Sequence, residues 1–249
     1  FHKRGRHESC TFWAEPLRVN PDRHSVTLSR IGTIKTYENT RGLQRKIAKG
    51  TARIIRATIS RGFNYWHVSF TVYEKKRIPE THRNPSSVVG VDVGVGDHVI
   101  VAATPNGDEV MRRGLPPYVK RDEARVRHLQ RKMSRKRGPD KRTKTTPSNR
   151  WIRANNQVRK YHNTMANVRH DFAAKAAHEL AKNYETVVIE DLNVRAMMTR
   201  GGAYKRGLNR AIAQASFADL RRRIAYKTRW NGGTVLVADR WFPSSKTCS

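Results

Sequence analysis

Acidic residues, cysteines and long apolar runs are all scarce in this chain of 249 residues. Only 20 Asp and Glu stand against 51 Lys and Arg, so the formal net charge is +31. Two cysteines, Cys10 and Cys248, cannot make a disulfide framework, which fits a reducing compartment. No run approaches the ~20 apolar residues that a membrane-spanning helix needs, and this argues against an integral membrane protein.

The excess of positive charge indicates a polyanionic partner. Nucleic acid is the usual one, because each phosphate that a protein neutralises releases condensed counterions. The alternative is a cationic ribosomal or chromatin protein without catalytic chemistry, and charge alone does not separate the two. The length allows one large domain or two modest ones.

Residues 1 to about 78 have the pattern of short antiparallel strands. In the segment YWHVSFTVY at 65–73, Trp66, Val68 and Phe70 fall on one face. Residues 55–60 alternate in the same way, with Ile55, Ala57 and Ile59 on one side. The pattern predicts a small all-β barrel or sandwich. The Pro- and Ser-containing stretch at 79–87 then predicts a linker.

After this stretch, strands and helices alternate. The pattern predicts three strands, a pair of helices joined by a basic turn, a strand, a helix and a strand, at residues 88–94, 98–104, 109–111, 117–183, 186–190, 209–231 and 234–239. This is the element order of an α/β sheet of the ribonuclease H type.

Asp92 is the most informative residue of the chain. Period-2 alternation places it between Gly90 and Gly94 on one face of its strand. Glycines weaken a strand unless a ligand or backbone comes close, so the space above this carboxylate suits a Mg²⁺ ion that carries a phosphate. An Asp at a strand end that makes turn contacts is the open alternative, because D-x-G is a short pattern.

Two further acids, Glu190 and Asp191, end the buried strand at 186–190, where an unpaired carboxylate is costly. Ligands bind at strand ends in α/β sheets, so Glu190 is the second candidate, with an arginine ion pair as its alternative. Asp191 is expected to cap the next element or contact backbone, and Asp239 to form a structural salt bridge. Asp92 and Glu190 together indicate two-metal phosphoryl transfer, with ions about 3.5–4 Å apart. The sequence supplies no third ligand.

Three stretches carry a family resemblance: VVGVDVGVGDHVIVAATPNG at 88–107, VVIEDLNVRAMM at 187–198 and ADRWFPSSKTCS at 238–249. On these motifs the chain resembles the transposon-encoded OrfB/TnpB family of RNA-guided nucleases, relatives of the type V CRISPR effectors. The resemblance implies that Asp92 is the catalytic aspartate of a first RuvC motif and Glu190 the catalytic glutamate of a second. It also implies that Cys248 is the first ligand of a zinc ribbon.

The fold implied is a RuvC-like, ribonuclease H-type α/β nuclease domain with an inserted basic helical hairpin, preceded by a small all-β, WED-like barrel. The barrel is expected at 1–86, the nuclease domain at 87–247 with its hairpin at about 117–183, and the start of a zinc ribbon at 248–249. We expect the chain to be incomplete, because the ribbon's remaining ligands and the family's last RuvC aspartate would follow Ser249. A single cysteine does not hold zinc, so Zn²⁺ is expected only in a longer version.

The activity implied is that of an RNA-guided DNA endonuclease of a transposable element, which hydrolyses phosphodiesters with two Mg²⁺ ions. The expected partners are a guide RNA derived from the transposon and double-stranded target DNA with a short flanking motif. Neither a membrane nor a small-molecule cofactor is expected, and the expected location is a prokaryotic cytoplasm, at the nucleoid. The basic side chains expected to contact phosphates, without reading bases, are Arg131, Lys132, Arg135, Lys136, Arg150, Arg153, Arg159 and Lys160.

Two alternatives stay open. The first is a nuclease-inactive protein that binds DNA under RNA guidance, which the missing third ligand favours and the intact Asp92 and Glu190 oppose. The second is a DNA-strand transposase. That activity would need a nucleophilic Tyr or Ser with a base partner, and the sequence does not place one.

Overall fold

A computed structural model describes residues 8–13, 15–62, 65–75 and 77–239. The chain divides into two compact units, Phe1–Arg77 and Ile78–Ser249. The sequence-based domain boundary was residue 86, further along the chain. Within the described part of the chain, no helix is both long and apolar enough to cross a membrane.

The described part of the first unit contains six strands and one helix. In chain order they are β1 (Ser9–Phe12), β2 (Arg18–Val19), β3 (Ser25–Leu28), β4 (Gly32–Lys35), α1 (Arg41–Ala48), β5 (Ala52–Arg61) and β6 (Trp66–Glu74). The strands pair antiparallel as two three-stranded sheets, β1-β5-β6 and β2-β3-β4. Both sheets contribute to one core that contains Val26, Leu28 and Ala57.

Of the predicted barrel or sandwich, the described strands favour the sandwich, and the unit is not purely β. The described strands form two sheets around a shared core, which is nearer to a sandwich than to one closed sheet. Helix α1 was also missed. Its Leu43 and Ile47 lie one turn apart and pack on the core, so tertiary contact stabilises a segment whose Gly42 lowers its helix propensity.

Strand β5 departs from simple alternation. Its pairing with β6 shifts register between Ile54 and Arg56. Ile54 therefore packs on the core with Ala57, while Ile55 is 42% exposed. The prediction that Ile55 shares the buried face is wrong, because a bulge reverses the phase of the strand.

The described part of the second unit contains five strands and five helices. They are β7 (Val88–Val93), β8 (Ile100–Ala103), β9 (Glu109–Arg113), α2 (Pro117–Ser134), α3 (Asn149–Asn183), β10 (Thr186–Glu190), α4 (Val194–Met197), α5 (Ala203–Ala215), α6 (Phe217–Trp230) and β11 (Thr234–Ala238). The sheet has the order β11-β10-β7-β8-β9. Strands β7, β8 and β9 form an antiparallel meander, and β10 runs parallel to both β7 and β11. The predicted α/β sheet is confirmed.

One face of this sheet is covered by α3 and α6. Apolar residues of β7, β8 and β10 pack against Ala173, Ala176, Ala177 and Leu180 of α3 and against Leu220 and Ile224 of α6. Helix α3 has 35 residues and is about 52 Å long at 1.5 Å per residue. Its first half packs against α2 through Val126, Val158 and Met165. The two helices thus extend from the sheet as an antiparallel pair joined by residues 135–148.

Two segments differ from the sequence-based predictions. Residues 79–87 are not a free linker, because His82 is buried and its Nε2 lies 3.1 Å from the carbonyl oxygen of Ala181 at the end of α3. The single helix predicted at 209–231 is two helices. They meet at Ser216, whose φ of 53° ends α5 in a left-handed conformation.

Candidate active site

Asp92 lies on the face of the sheet opposite to α3 and α6. Val89 and Val91 point into the core, while Gly90 and Asp92 are exposed, so the predicted alternation is confirmed. A Cβ atom added at Gly90 would have a single neighbour, the carbonyl oxygen of Ala103 at 3.8 Å. The surface beside Asp92 is therefore open. At position 94 the glycine is explained by close packing, because an added Cβ atom would lie 3.1 Å from the carbonyl oxygen of His98.

Glu190 lies next to Asp92 on the adjacent strand. Ile189 of β10 pairs with Val91 of β7, so the following residues of these two parallel strands are neighbours on the same face. Partial burial raises the pKa of Glu190, and the negative charge of Asp92 raises it further. Within the described residues, neither carboxylate has an ion-pair partner, so the predicted alternative of a Glu190–arginine pair is not observed.

The other acids near the strand ends have different surroundings. Asp191 follows Glu190 and accepts a hydrogen bond from Nη1 of Arg221 on α6 at 3.2 Å. Asn193, and not Asp191, caps α4, because its Oδ1 accepts from the backbone N–H of Ala196 at 3.0 Å. Of the two roles predicted for Asp191, the cap of the next helix is therefore wrong, and the backbone contact stays a prediction. Sequence reasoning missed Arg221, because nothing in its local pattern indicates that α6 passes beside the end of β10.

Asp92 and Glu190 line a cleft of about 570 Å³. Its other walls come from the strands and from the segments that follow β8 and β10, including Val101, Ala103, Thr104, Pro105, Val188, Asp191, Leu192 and Asp239. The walls are mostly apolar and the acids are grouped at one end. Asp97, by contrast, lines a separate cleft beside the start of α2 and pairs with Lys120. Asp239 thus shares a cleft with the two candidate ligands, whereas Asp97 lines another.

The donor set of the cleft fits a hard divalent cation. Two carboxylates with no cationic partner in the described part of the chain repel each other, and partial burial together with this repulsion raises the pKa of Glu190. Carboxylate oxygens are the ligands that Mg²⁺ prefers, with water filling its remaining positions. The described residues contain no group of three or more acidic, histidine or cysteine side chains arranged to hold a metal. Among the described residues the cleft accordingly offers two candidate protein ligands, Asp92 and Glu190.

The predicted phosphate-binding residues lie at the far end of the helix pair and on α3. Seven of the eight side chains are exposed and Lys136 is half-buried. Apart from Arg159, none of them forms an ion pair with another described residue. They leave a basic surface over Arg131, Lys132, Arg135, Lys136, Arg150, Arg153, Arg159 and Lys160. Cys248, the predicted zinc ligand, lies outside the described residues.

The protein has a ribonuclease H-type sheet that carries two adjacent carboxylates on its open face. This combination defines its structural class. Residues 70–201 match the OrfB_IS605 family model, described as "Probable transposase", and residues 217–249 match "Cas12f1-like, TNB domain". The chain belongs to the OrfB_IS605 family.

Similar proteins carry related names. "Putative RNA-guided DNA endonuclease Rv2885c" of Mycobacterium tuberculosis is 36% identical over 250 residues, which are 100% of this chain and 52% of the relative. "Putative RNA-guided DNA endonuclease InsQ" of Escherichia coli is 26% identical over 99% of this chain and 58% of the relative. The chain spans about half the length of these curated relatives.

Among solved structures, the protein is similar to a chain of the "Cryo-EM structure of the Cas12f1-sgRNA-target DNA complex". The match covers 73% of the present chain and 41% of the chain in that complex. The sequence identity is 19% and the TM-score is 0.40.

Proposed function

We propose that the protein is an RNA-guided DNA endonuclease of a transposable element, with Asp92 and Glu190 as the metal-binding carboxylates. The observation that carries the proposal is the pair itself: two adjacent acids without a cationic partner among the described residues, at one end of an open cleft. Family membership and the names of the relatives support the same activity.

In this proposal Asp92 and Glu190 hold Mg²⁺ at the edge of the cleft. A bound divalent cation supplies charge that activates a water and stabilises the leaving oxygen of a phosphodiester. The protein contributes an open sheet face that admits a nucleic-acid backbone, because Gly90 leaves the surface beside Asp92 free of side-chain atoms. The apolar walls around Val101 and Val188 limit the water that surrounds the carboxylates.

The remaining parts of the proposal concern recognition. A guide RNA derived from the transposon pairs with the target strand, so base pairing and not the protein reads most of the sequence. The basic helix pair α2–α3 contacts phosphates, and the first unit corresponds to the WED-like domain of the family. A short flanking motif of the double-stranded target is read by direct protein contact. Two metal ions and a zinc ribbon that begins at Cys248 complete the proposal.

The test separates metal binding from cleavage. The variants Asp92→Asn and Glu190→Gln should lose binding of Mn²⁺, used as a paramagnetic substitute for Mg²⁺ and followed by electron paramagnetic resonance. They should also lose guided cleavage of a matched plasmid while they still bind RNA and DNA. Asp191→Asn is the matched control, since Asp191 follows Glu190 directly but contacts Arg221. Retention of Mn²⁺ binding and cleavage by Asp92→Asn would sink the assignment.

A second candidate function is guided DNA binding without cleavage. It is favoured by the absence of a third metal-ligating side chain beside Asp92 and Glu190 in the described residues. The same experiment distinguishes it: a protein of this kind binds guide RNA and target DNA equally well with and without Asp92, and leaves the matched plasmid intact in Mg²⁺.

A further inference from the structure

The outer face of the β1-β5-β6 sheet is a polar and aromatic surface within the first unit. The inward residues of these strands, such as Ala57, Ile59, Val68 and Phe70, pack on the core. The outward residues on β6 are exposed. Register pairs the outward positions across the strands as Thr11 with Thr58, Thr58 with Ser69, and Arg56 with Thr71. None of the outward positions of these strands carries an acid.

Trp13 is the prominent feature of this face. Its side chain is 66% exposed although it is large and apolar. The guanidinium of Arg56 lies over the indole, 5.0 Å from the ring centroid. Nε of Arg56 donates to Oγ1 of Thr71 at 3.0 Å, which fixes the guanidinium in that position. The indole is therefore held by a cation on one side and remains open elsewhere.

The Trp13–Arg56 pair differs in charge from a second tryptophan–arginine pair on the same sheet. Trp66 is 59% exposed and the guanidinium of Arg61 lies 5.9 Å from its ring centroid, but Nη1 of Arg61 is neutralised by Glu8 at 2.9 Å. Arg56 has no acidic partner among the described residues. An aromatic ring beside an unneutralised guanidinium is the arrangement that binds a base together with its phosphate.

We propose that this face binds unpaired nucleotides, with one base stacked on Trp13 and the adjoining phosphate near Arg56. The outward hydroxyls, such as Thr11 and Ser69, then supply hydrogen bonds to phosphate and sugar oxygens. The occupant is a single strand and not a duplex, because the bases of a duplex are stacked on each other and do not present their faces to an aromatic side chain. The inference rests on the proposed function only for the source of the strand, an unpaired part of the guide RNA.

The experiment measures binding of a labelled uridine oligonucleotide of about 12 residues by fluorescence anisotropy, a length within the usual site sizes. The whole chain is used, in about 0.5 M KCl, where attraction to phosphates is screened but stacking persists. Trp13→Ala should weaken binding by about ten-fold or more, as expected for loss of one base stack. Trp13→Phe should restore most of the affinity, and Trp66→Ala, the matched control, should remain within about two-fold.

Two companion probes make the stacking claim falsifiable. An abasic strand and a duplex of the same length should bind equally to the wild type and to Trp13→Ala. An equal loss for Trp13→Ala on the abasic strand would overturn the proposal, and so would unchanged affinity of Trp13→Ala for the uridine strand. Photocrosslinking with 4-thiouridine gives a second readout that needs no substitution, and the proposal requires adducts on Trp13 or its outward neighbours.

The deoxyribose version of the oligonucleotide separates the two sources of single strand. If Trp13→Ala loses affinity only for the RNA oligonucleotide, the face binds the guide. If Trp13→Ala loses affinity equally for the RNA and DNA oligonucleotides, the face binds unpaired nucleotides of either kind. The readout is binding of the uridine strand and not cleavage, so it does not depend on the Asp92–Glu190 site. Failure of the nuclease proposal is thereby distinguishable from failure of this one.

Discussion

Glu190 occupies an environment that disfavours its charge, and this makes the cleft testable without an activity assay. Its pKa is raised by partial burial and by the neighbouring Asp92. An acid with a raised pKa binds more protons in the folded chain than in the unfolded one. The free energy of unfolding therefore falls as pH rises from the ordinary value of 4.5 through the raised pKa.

The first prediction follows from that sign. Glu190→Gln should be more stable than the wild type at neutral pH in metal-free buffer, and the difference should vanish below the ordinary pKa, where both side chains are neutral. Urea denaturation at several pH values measures this difference in stability.

The control is Glu179→Gln, which removes an exposed partner of Arg113 and should give no such gain in stability. Addition of Mg²⁺ should stabilise the wild type more than Glu190→Gln, because the ion binds only the folded chain. Lower stability of Glu190→Gln at neutral pH would contradict the account.

Gly114 fixes the segment between β7 and β8. A Cβ atom there would overlap the carbonyl oxygen of Asp97. We predict that Gly114→Ala destabilises the chain by about 1–3 kcal/mol, as overpacking does. Gly207→Ala is the control: its Cβ would have no neighbour within 4 Å, and alanine inside α5 should add up to about 1 kcal/mol. Thermal unfolding of both variants checks the pair, and equal effects would show that propensity and not the contact decides.

At this scale the sequence predicts the two candidate ligands but not their surroundings. Asp92 is found because period-2 alternation survives in β7, and Glu190 because an acid ends a buried strand. The Arg221–Asp191 contact joins residues 30 positions apart, and its formation depends on where α6 passes the sheet. No local pattern carries that information. The same holds for Asp97, whose partner Lys120 lies on α2.

Helices α3 and α6 are joined by an ionic cluster around Asp219, in the first turn of α6. Nε of Arg223 donates to Asp219 at 2.8 Å, Nη2 of Arg222 at 2.5 Å, and Nδ1 of His170 on α3 lies 3.0 Å away. Burial by itself would raise the pKa of Asp219, but these hydrogen bonds outweigh it and hold the pKa well below its usual range. The cluster fixes α6 on the long helix that supports the sheet.

The third prediction concerns this cluster. Asp219→Asn should cost about 2 kcal/mol of stability at neutral pH, because it weakens several charge-assisted hydrogen bonds. A lowered pKa stabilises the folded chain above the ordinary value of 3.8, and that contribution is lost as pH falls through the folded pKa. The difference between the two proteins should thus shrink in acid. Lys175→Gln, which removes an exposed pair with Asp171 on α3, should change stability by less than about 0.5 kcal/mol.

The mispredicted helices are those in which tertiary packing, and not local propensity, decides where a helix forms or ends. The break at Ser216 separates α5, whose Ile212 and Ala215 pack with Val99, from α6, whose Leu220 and Ile224 pack on the sheet. One straight helix does not reach both clusters, yet its local propensity is continuous. Helix α1 is the reverse case, with weak propensity and strong packing. Long periodic segments such as α3 were predicted well because a single apolar stripe determines them.

The distribution of charge over the whole molecule leads to the last prediction. A net charge of +31 predicts strong salt dependence of nucleic-acid binding whichever surface is used. The structure indicates which surface contributes most to this salt dependence, because cations that are already paired with acids attract a phosphate less strongly. Arg131, Arg135, Arg150 and Arg153 have no ion-pair partner among the described residues, whereas Lys46, Arg61, Arg112 and Lys175 are paired with Glu74, Glu8, Glu109 and Asp171.

Replacing either quartet by glutamine lowers the net charge equally, so the comparison isolates position from total charge. The slope of log affinity against log salt falls by about 0.7 per lost phosphate contact on single strands and about 0.9 on B-DNA, so loss of the unpaired quartet should reduce it by about 3 to 4. The paired quartet should reduce it far less, since its acids already satisfy those cations. Titrations at several KCl concentrations, with one RNA and one DNA probe, provide both slopes. Equal reductions would mean that bulk charge alone drives binding, and that the basic end of the α2–α3 pair is an ordinary solvated surface.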